Sequence, residues 1–171
     1  MNNVNEVGGT RGNDVLSDDV RGSKDTNRRA LASCRVTMLA STAASVAANT
    51  LKKGDVLATA RVAGIQAARQ MTSLLTLSHP VAVDMVFVEF TVADTHIDVE
   101  VSADAVARTG VEMGALTAVT AAALTVYDMC KSVDRTMTIG DVALRERSGG
   151  DVATWRRAEI PFRAIDDGER E

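Results

Sequence analysis

The chain has 171 residues, a formal net charge of −4 and a hydrophobic content of 46%, values that suit a single globular domain. They exclude a disordered chain, a collagen-like repeat and a protein whose overall charge attracts nucleic acid or a membrane surface. Aromatic residues make up only 3%, so small side chains must fill the core. We therefore expect the chain to bury further surface by forming a homo-oligomer.

The two cysteines, Cys34 and Cys130, have no CxxC spacing, and we interpret them as reduced thiols. The N-terminal segment is polar and lacks an apolar signal core. The longest charge-free runs, 36–51 and 113–127, are too short to span a membrane. We therefore expect a cytoplasmic protein with one domain at 17–155, between a disordered arm at 1–16 and a polar tail at 156–171.

The first half of the domain predicts one strand followed by two helices. A short strand is expected at 34–38 and an Ala-rich helix at 41–51. Asp55 predicts the start of a longer helix at 56–74, because its carboxylate can accept hydrogen bonds from the free amides of the first turn. The dipeptide His79-Pro80 ends this region.

The second half predicts a hairpin, a long helix and a final strand. Residues 83–92 are rich in β-branched and aromatic side chains, and 96–106 alternate apolar with polar ones. A helix at 109–134 and a strand at 138–147 follow. The complete order predicts an α+β fold of the ferredoxin-like, split βαβ type, an antiparallel sheet with helices on one face.

The charges at the two ends of the long helix are its most informative feature. Asp128 and Lys131 are spaced i, i+3 and share a face, which by itself is more typical of a solvated ion pair than of catalysis. Glu112 lies 16 positions before Asp128, about 24 Å away at the rise of an α-helix. One small-molecule site within a single chain cannot use both ends, so if both are functional, the sites are shared between subunits.

Four stretches together resemble the cyclic pyranopterin monophosphate synthase family, MoaC: KKGDVLATARVAGIQAAR at 52–69, LSHP at 77–80, ARTGVEMGALTAVTAAALTVYDMCKSVDRTMTI at 107–139 and RSGG at 147–150. The resemblance implies a lyase of molybdenum cofactor biosynthesis. Its members convert 3′,8-cyclo-7,8-dihydro-GTP into cyclic pyranopterin monophosphate and pyrophosphate. It also implies a hexamer, a trimer of dimers, with active sites between subunits.

The resemblance implies that Lys53, Asp128 and Lys131 are the catalytic residues. The substrate-binding residues that we carry over with it are Arg28, Ser78, His79, Arg108, Glu112, Met113 and Arg147. We expect Lys131 to act as general acid/base, oriented by Asp128, and Lys53 as phosphate clamp or second proton carrier. Clustered ammonium groups are expected to lower the pKa of one lysine.

The sequence predicts no cofactor and no resident metal, because two distant cysteines and two histidines do not form a usual ligand set. An Mg²⁺ ion that accompanies the substrate phosphates stays an open alternative. Two of the chain's departures from the family pattern change the charge that is expected near the site. Gly114 stands where a second acidic residue is usual, and Asp151 where a lysine is expected.

These departures leave two main interpretations. The chain is a working or weakened synthase, or it is a divergent non-catalytic paralogue that binds a nucleotide or pairs with an authentic subunit. An oligomeric scaffold without a ligand is a more remote third. The retention of both lysines favours the enzyme.

Overall fold

A computed structural model describes residues 22–75, 77–150 and 153–158 of the chain. The elements of these ranges are β1 (Thr26–Thr37), α1 (Ala40–Ala47), α2 (Val56–Leu74), β2 (Met85–Val92), β3 (His96–Ala107), α3 (Glu112–Cys130), β4 (Thr138–Gly149) and β5 (Trp155–Arg156). Their order confirms the predicted α+β arrangement. The expected arm at 1–16, the position of Asp151 and the tail beyond residue 158 lie outside the described residues.

The five strands form one antiparallel sheet in the order β2-β3-β1-β4-β5. Alternate residues of the central strand β1 are buried, namely Ala30, Ala32, Cys34 and Val36. The Cys34 thiol lies 3.6 Å from the Val119 carbonyl oxygen of α3, and α2 packs on α3 and β2. The long helices therefore cover one face of the sheet, as the ferredoxin-like pattern predicts.

Strand β1 begins at Thr26, well before the expected start at residue 34. Its polar first residues pair on both sides, Thr26 with Ala107 of β3 and Arg28 with Gly149 of β4. Pairing with two neighbouring strands outweighs the weak strand propensity of this segment. The short strand β5 was not expected. It pairs with Glu146 and Arg147 of β4 and includes residue 156, where the tail was predicted to begin.

The core consists of small side chains, as the composition predicts. Valine and isoleucine are the largest apolar residues that are fully buried in the described ranges. Helices α2 and α3 approach closely, because a Cβ atom on Gly64 would lie 3.1 Å from the Ala118 carbonyl oxygen. Gly114 lies near Ala68, so α2 and α3 are antiparallel. The start of α2 consequently lies beside the end of α3.

By length and composition, α3 is the one helix in the described ranges that could cross a membrane. Half of it is buried inside the protein, as in the core helix of a soluble domain. It is therefore weak evidence for a membrane span.

Candidate active site

The three residues expected to be catalytic meet at the C-terminal end of α3. The Lys131 Nζ atom lies 2.6 Å from Asp128 Oδ1. The Lys53 Nζ atom donates a hydrogen bond of 2.7 Å to the Asp128 backbone carbonyl and lies 3.6 Å from Oδ2 of the same residue. We call these three residues the lysine–aspartate cluster. Two ammonium groups thus converge on one carboxylate from different parts of the chain.

Local sequence explains how Lys53 reaches this position. The following Gly54 has a φ of +93°, a backbone conformation that glycine adopts without steric cost. Asp55 then caps α2, because its carboxylate accepts a hydrogen bond of 2.9 Å from the Ala58 amide. The antiparallel contact of the two helices brings this turn to the last turn of α3. The predicted cap at Asp55 is therefore confirmed.

The ion pair sets the protonation state of the cluster. The hydrogen bond and charge of Lys131, followed by the charge of Lys53, hold the pKa of Asp128 below its usual value. The hydrogen bond and charge of Asp128 raise the pKa of Lys131. For Lys131 the expected lowering of the pKa by neighbouring ammonium groups is wrong in the single chain, because the Asp128 carboxylate contacts this lysine directly and raises its pKa.

A second group of predicted residues lies at the N-terminal end of α3. Arg147 of β4 approaches Glu112 of the first helical turn, with 3.4 Å between Arg147 Nη1 and Glu112 Oε1. The Glu112 carboxylate packs against the Cα atom of Gly110, where a Cβ atom would collide with it. Sequence reasoning missed this role of Gly110, for which the TG-VE spacing before the helix was the available signal.

Arg28 of β1 links the ends of β3 and β4 at the same location through hydrogen bonds. Its guanidinium group donates hydrogen bonds to the backbone carbonyls of Ala107, Arg108 and Gly149, at 3.1–3.3 Å. Gly150, with a φ of +76°, lies so close to this guanidinium that a side chain there would collide with it. Arg28 therefore shapes the site mainly through the backbone that it holds.

A small cavity of about 50 Å³ opens beside these groups, and we call it the arginine cavity. It is lined by Arg28, Arg29, Gly110, Glu112, Arg147, Ser148, Gly149 and Ala153. Sites for small molecules usually enclose about 300–1,000 Å³. The arginine cavity of one chain is therefore smaller than such sites usually are.

The remaining predicted residues belong to this end of the molecule or border it. Ser78 and His79 are half-buried in the segment after α2, whose C-terminal end lies beside the start of α3. Met113 is exposed in the first turn of α3, and the Arg108 guanidinium lies 3.6 Å from Asp25. Gly114 is buried and faces Val83 and the Ala68 carbonyl oxygen. The predicted residues thus form two groups at opposite ends of α3.

A family model described as "MoaC family" matches residues 17–150. The chain belongs to the MoaC family. It is 46% identical to "Cyclic pyranopterin monophosphate synthase 3" of Mycobacterium tuberculosis (strain ATCC 25618 / H37Rv), over 100% of this chain and 94% of the relative. It is 48% identical to "Cyclic pyranopterin monophosphate synthase" of Thermomicrobium roseum, over 82% of this chain and 86% of the relative.

A third relative of this MoaC chain, from Geobacter metallireducens, carries the same name and is 46% identical over 82% of this chain and 89% of its own length. The family resemblance expected from the motifs is therefore confirmed. The names of these relatives support the cyclic pyranopterin monophosphate synthase function over the paralogue interpretation.

Proposed function

We propose that this chain is a lyase that converts 3′,8-cyclo-7,8-dihydro-GTP into cyclic pyranopterin monophosphate and pyrophosphate in molybdenum cofactor biosynthesis, in the cytoplasm. The observation that carries the proposal is the lysine–aspartate cluster. Lys53 and Lys131 are 78 positions apart, yet both ammonium groups contact Asp128. A solvated ion pair needs only Asp128 and Lys131. The convergence of a second lysine, Lys53, therefore favours an active site over a solvated ion pair.

Lys131 acts as general acid/base and begins the reaction as the acid. Like other lysines it is protonated at neutral pH, and its ammonium group can donate a proton to a developing anion. Asp128 orients this group, because its carboxylate accepts a hydrogen bond from the Lys131 ammonium group. Lys53, held on the Asp128 carbonyl, serves as phosphate clamp or second proton carrier.

The substrate's triphosphate is bound by cationic side chains. Arg108 and Arg147 supply exposed guanidinium groups at the N-terminal end of α3, where planar donors suit phosphate oxygens. Glu112 and His79 contact the guanine or ribose, beside Ser78 and Met113. We expect any Mg²⁺ to arrive with the substrate phosphates, because two distant cysteines and two histidines do not form a usual ligand set.

Each active site combines the lysine–aspartate cluster of one subunit with the arginine cavity of another. The two lie about 24 Å apart along α3, too far for one small substrate. The outward face of α3 between them carries no charge, and its Met113 and Leu124 are 42% and 56% exposed. Two such faces packed antiparallel about a twofold axis would join the two ends into one site, within a hexamer built as a trimer of dimers.

The two departures from the family pattern lower turnover without abolishing it. A side chain at position 114 would begin between Val83 and Ala68, so the missing carboxylate is lost from the border of the site, not from the lysine–aspartate cluster. Asp151 follows the Ser148–Gly150 turn in sequence, and its negative charge would repel substrate phosphates.

We expect purified protein to release pyrophosphate and a pterin from 3′,8-cyclo-7,8-dihydro-GTP. Replacing Lys53 or Lys131 by alanine should reduce turnover by about a hundredfold or more, because each removes a proton donor or a phosphate contact. The matched control is Lys52→Ala, which removes the exposed neighbouring lysine and should leave turnover unchanged.

Equal losses in all three variants would contradict the assignment of Lys53. No turnover by a folded wild-type oligomer would favour the paralogue, and the double variant Gly114→Glu with Asp151→Lys should then restore activity.

A further inference from the structure

A buried carboxylate lies three residues after Lys131 and belongs to none of the groups described above. Asp134 is 2% exposed and makes no ion pair with any described residue. Its Oδ2 atom accepts hydrogen bonds from the Leu39 amide at 2.7 Å and the Thr42 hydroxyl at 3.2 Å. Its Oδ1 atom accepts from the Thr136 amide at 2.9 Å and the Thr136 hydroxyl at 2.7 Å.

These four hydrogen bonds join three elements at one point. Leu39 is the N-cap residue of α1, and its side chain makes no cap hydrogen bond; Asp134 accepts the hydrogen bond of the Leu39 amide from across the fold. Thr136 begins the approach to β4. The Asp134 amide donates to the Cys130 carbonyl at the end of α3. A negative charge is also favourable at the N-terminus of α1.

Both lysines of the active-site cluster are attached to the elements that Asp134 joins. Lys131 follows α3 directly, between Cys130 and Asp134. Lys53 lies at the end of the short segment that leaves α1 after Ala47 and closes with the turn at Gly54. Lys53 is thus held from two sides, by the capped start of α2 and by this segment from α1, so a displacement of α1 against α3 would change the distance between the two ammonium groups.

We propose that Asp134 is a positioning residue, whose buried carboxylate fixes α1 against the end of α3 and so sets the spacing of Lys53, Asp128 and Lys131. This inference rests on the proposed function. Asp134 itself is enclosed by protein and does not contact the substrate.

The role requires a carboxylate and not merely a polar group of the same shape. Each oxygen accepts from one backbone N–H and one hydroxyl. An asparagine would place its NH₂ group against one of the two backbone amides, which cannot turn to accept. Asp134→Asn thus breaks the junction on one side while the volume of the side chain is kept.

The test compares Asp134→Asn with wild type and with Asp98→Asn, a matched carboxylate-to-amide change on the helix-free face of the sheet. We expect Asp134→Asn to lower kcat per folded subunit by about tenfold to a hundredfold with little change in KM, because small displacements of catalytic groups are costly. Asp98→Asn should leave kcat unchanged. Wild-type kcat in folded Asp134→Asn would overturn the proposal.

A second measurement does not depend on turnover. The pKa of Lys131 can be followed by NMR of ¹³C-dimethylated lysines, and Asp134→Asn should lower it as the contact with Asp128 loosens, whereas Asp98→Asn should not. An unchanged pKa would overturn the positioning role even if wild type proved inactive, so the two proposals fail separately.

If Asp134→Asn does not fold, Thr42→Val takes its place, since it removes one of the four donors and leaves the carboxylate. It should lower kcat and the pKa of Lys131 in the same direction. Wild-type values for both would overturn the proposal.

Discussion

At the scale of single residues, the nearest charged partner shifts the pKa of a side chain in this protein. The Asp128 carboxylate, 2.6 Å from the Lys131 ammonium group, raises the pKa of that lysine. On the opposite face of the sheet, the Arg35 guanidinium binds both carboxylate oxygens of Asp98, at 2.6 and 2.8 Å. This hydrogen-bonded pair lowers the pKa of Asp98. Spacing in sequence predicted the first pair, whereas the second joins residues 63 positions apart.

The Arg35–Asp98 pair predicts a loss of stability in acid. Because the pKa of Asp98 is lower in the folded chain, its stabilisation is present above the unfolded value of about 3.9 and is lost as the pH falls through the folded value. Urea unfolding from about pH 6 to pH 2 should show this loss. Asp98→Asn should make the slope shallower, and Asp94→Asn, in the exposed β2–β3 turn, should not. Equal slopes in Asp98→Asn and wild type would contradict the prediction.

At the scale of elements, the antiparallel contact of α2 and α3 decides which functional groups meet. The contact is close because glycines and alanines face each other, with Gly64 against Ala118 and Ala122. It brings the turn with Lys53 to Asp128 and directs Ser78 and His79 to the other end. Small residues allow the two helices to approach closely. The antiparallel direction of their packing instead depends on how the chain connects them to the strands of the sheet that they cover.

Two glycines of these helices should respond oppositely to alanine. Gly114→Ala adds a Cβ atom 3.5 Å from a Val83 methyl group, an ordinary contact, and should raise the free energy of unfolding by about 0.5–1 kcal/mol through reduced backbone entropy. Gly64→Ala places its Cβ atom 3.1 Å from a backbone oxygen of α3 and should lower the free energy of unfolding by about 1–3 kcal/mol. Urea unfolding measures both, and stabilisation by Gly64→Ala would contradict the close contact.

At the scale of the whole molecule, the lysine–aspartate cluster and the arginine cavity lie at opposite ends of α3, and the cavity of about 50 Å³ is small for a nucleotide. Two of the large aromatic side chains, Phe87 and Trp155, add little to the core, since they are 55% and 40% exposed. Further copies of the chain would cover such surface and complete the site. The shared-site arrangement is therefore a proposal about assembly as well as catalysis.

Complementation tests the shared site. Lys131→Ala removes a group from one end and Arg147→Ala from the other, so each variant alone should be inactive. In a mixed dimer, one of the two sites keeps both groups. Random co-assembly in equal amounts should restore about one quarter of wild-type activity. As a control, co-expression of Lys131→Ala with Lys53→Ala, which alter the same end, should restore none. No recovery in a verified mixed oligomer would contradict sharing.

The sequence by itself determined the elements whose signals are local. Helix α2 spans Val56–Leu74 as predicted, because the Asp55 cap and the helical pattern act within a few residues. The β2–β3 hairpin followed from alternation and a short turn. The family motifs identified the candidate catalytic lysines and their aspartate, since the resemblance extends over most of the domain.

Only the tertiary structure decided the features that depend on distant partners. The polar start of β1 is a strand because β3 and β4 pair with it. Asp134 can be buried because Leu39 and Thr42, more than 90 positions away, donate hydrogen bonds to its carboxylate. The contact of Lys53 with Asp128, 75 positions away, depends on how α2 packs against α3. Such contacts follow from how the elements pack, and no local pattern encodes them.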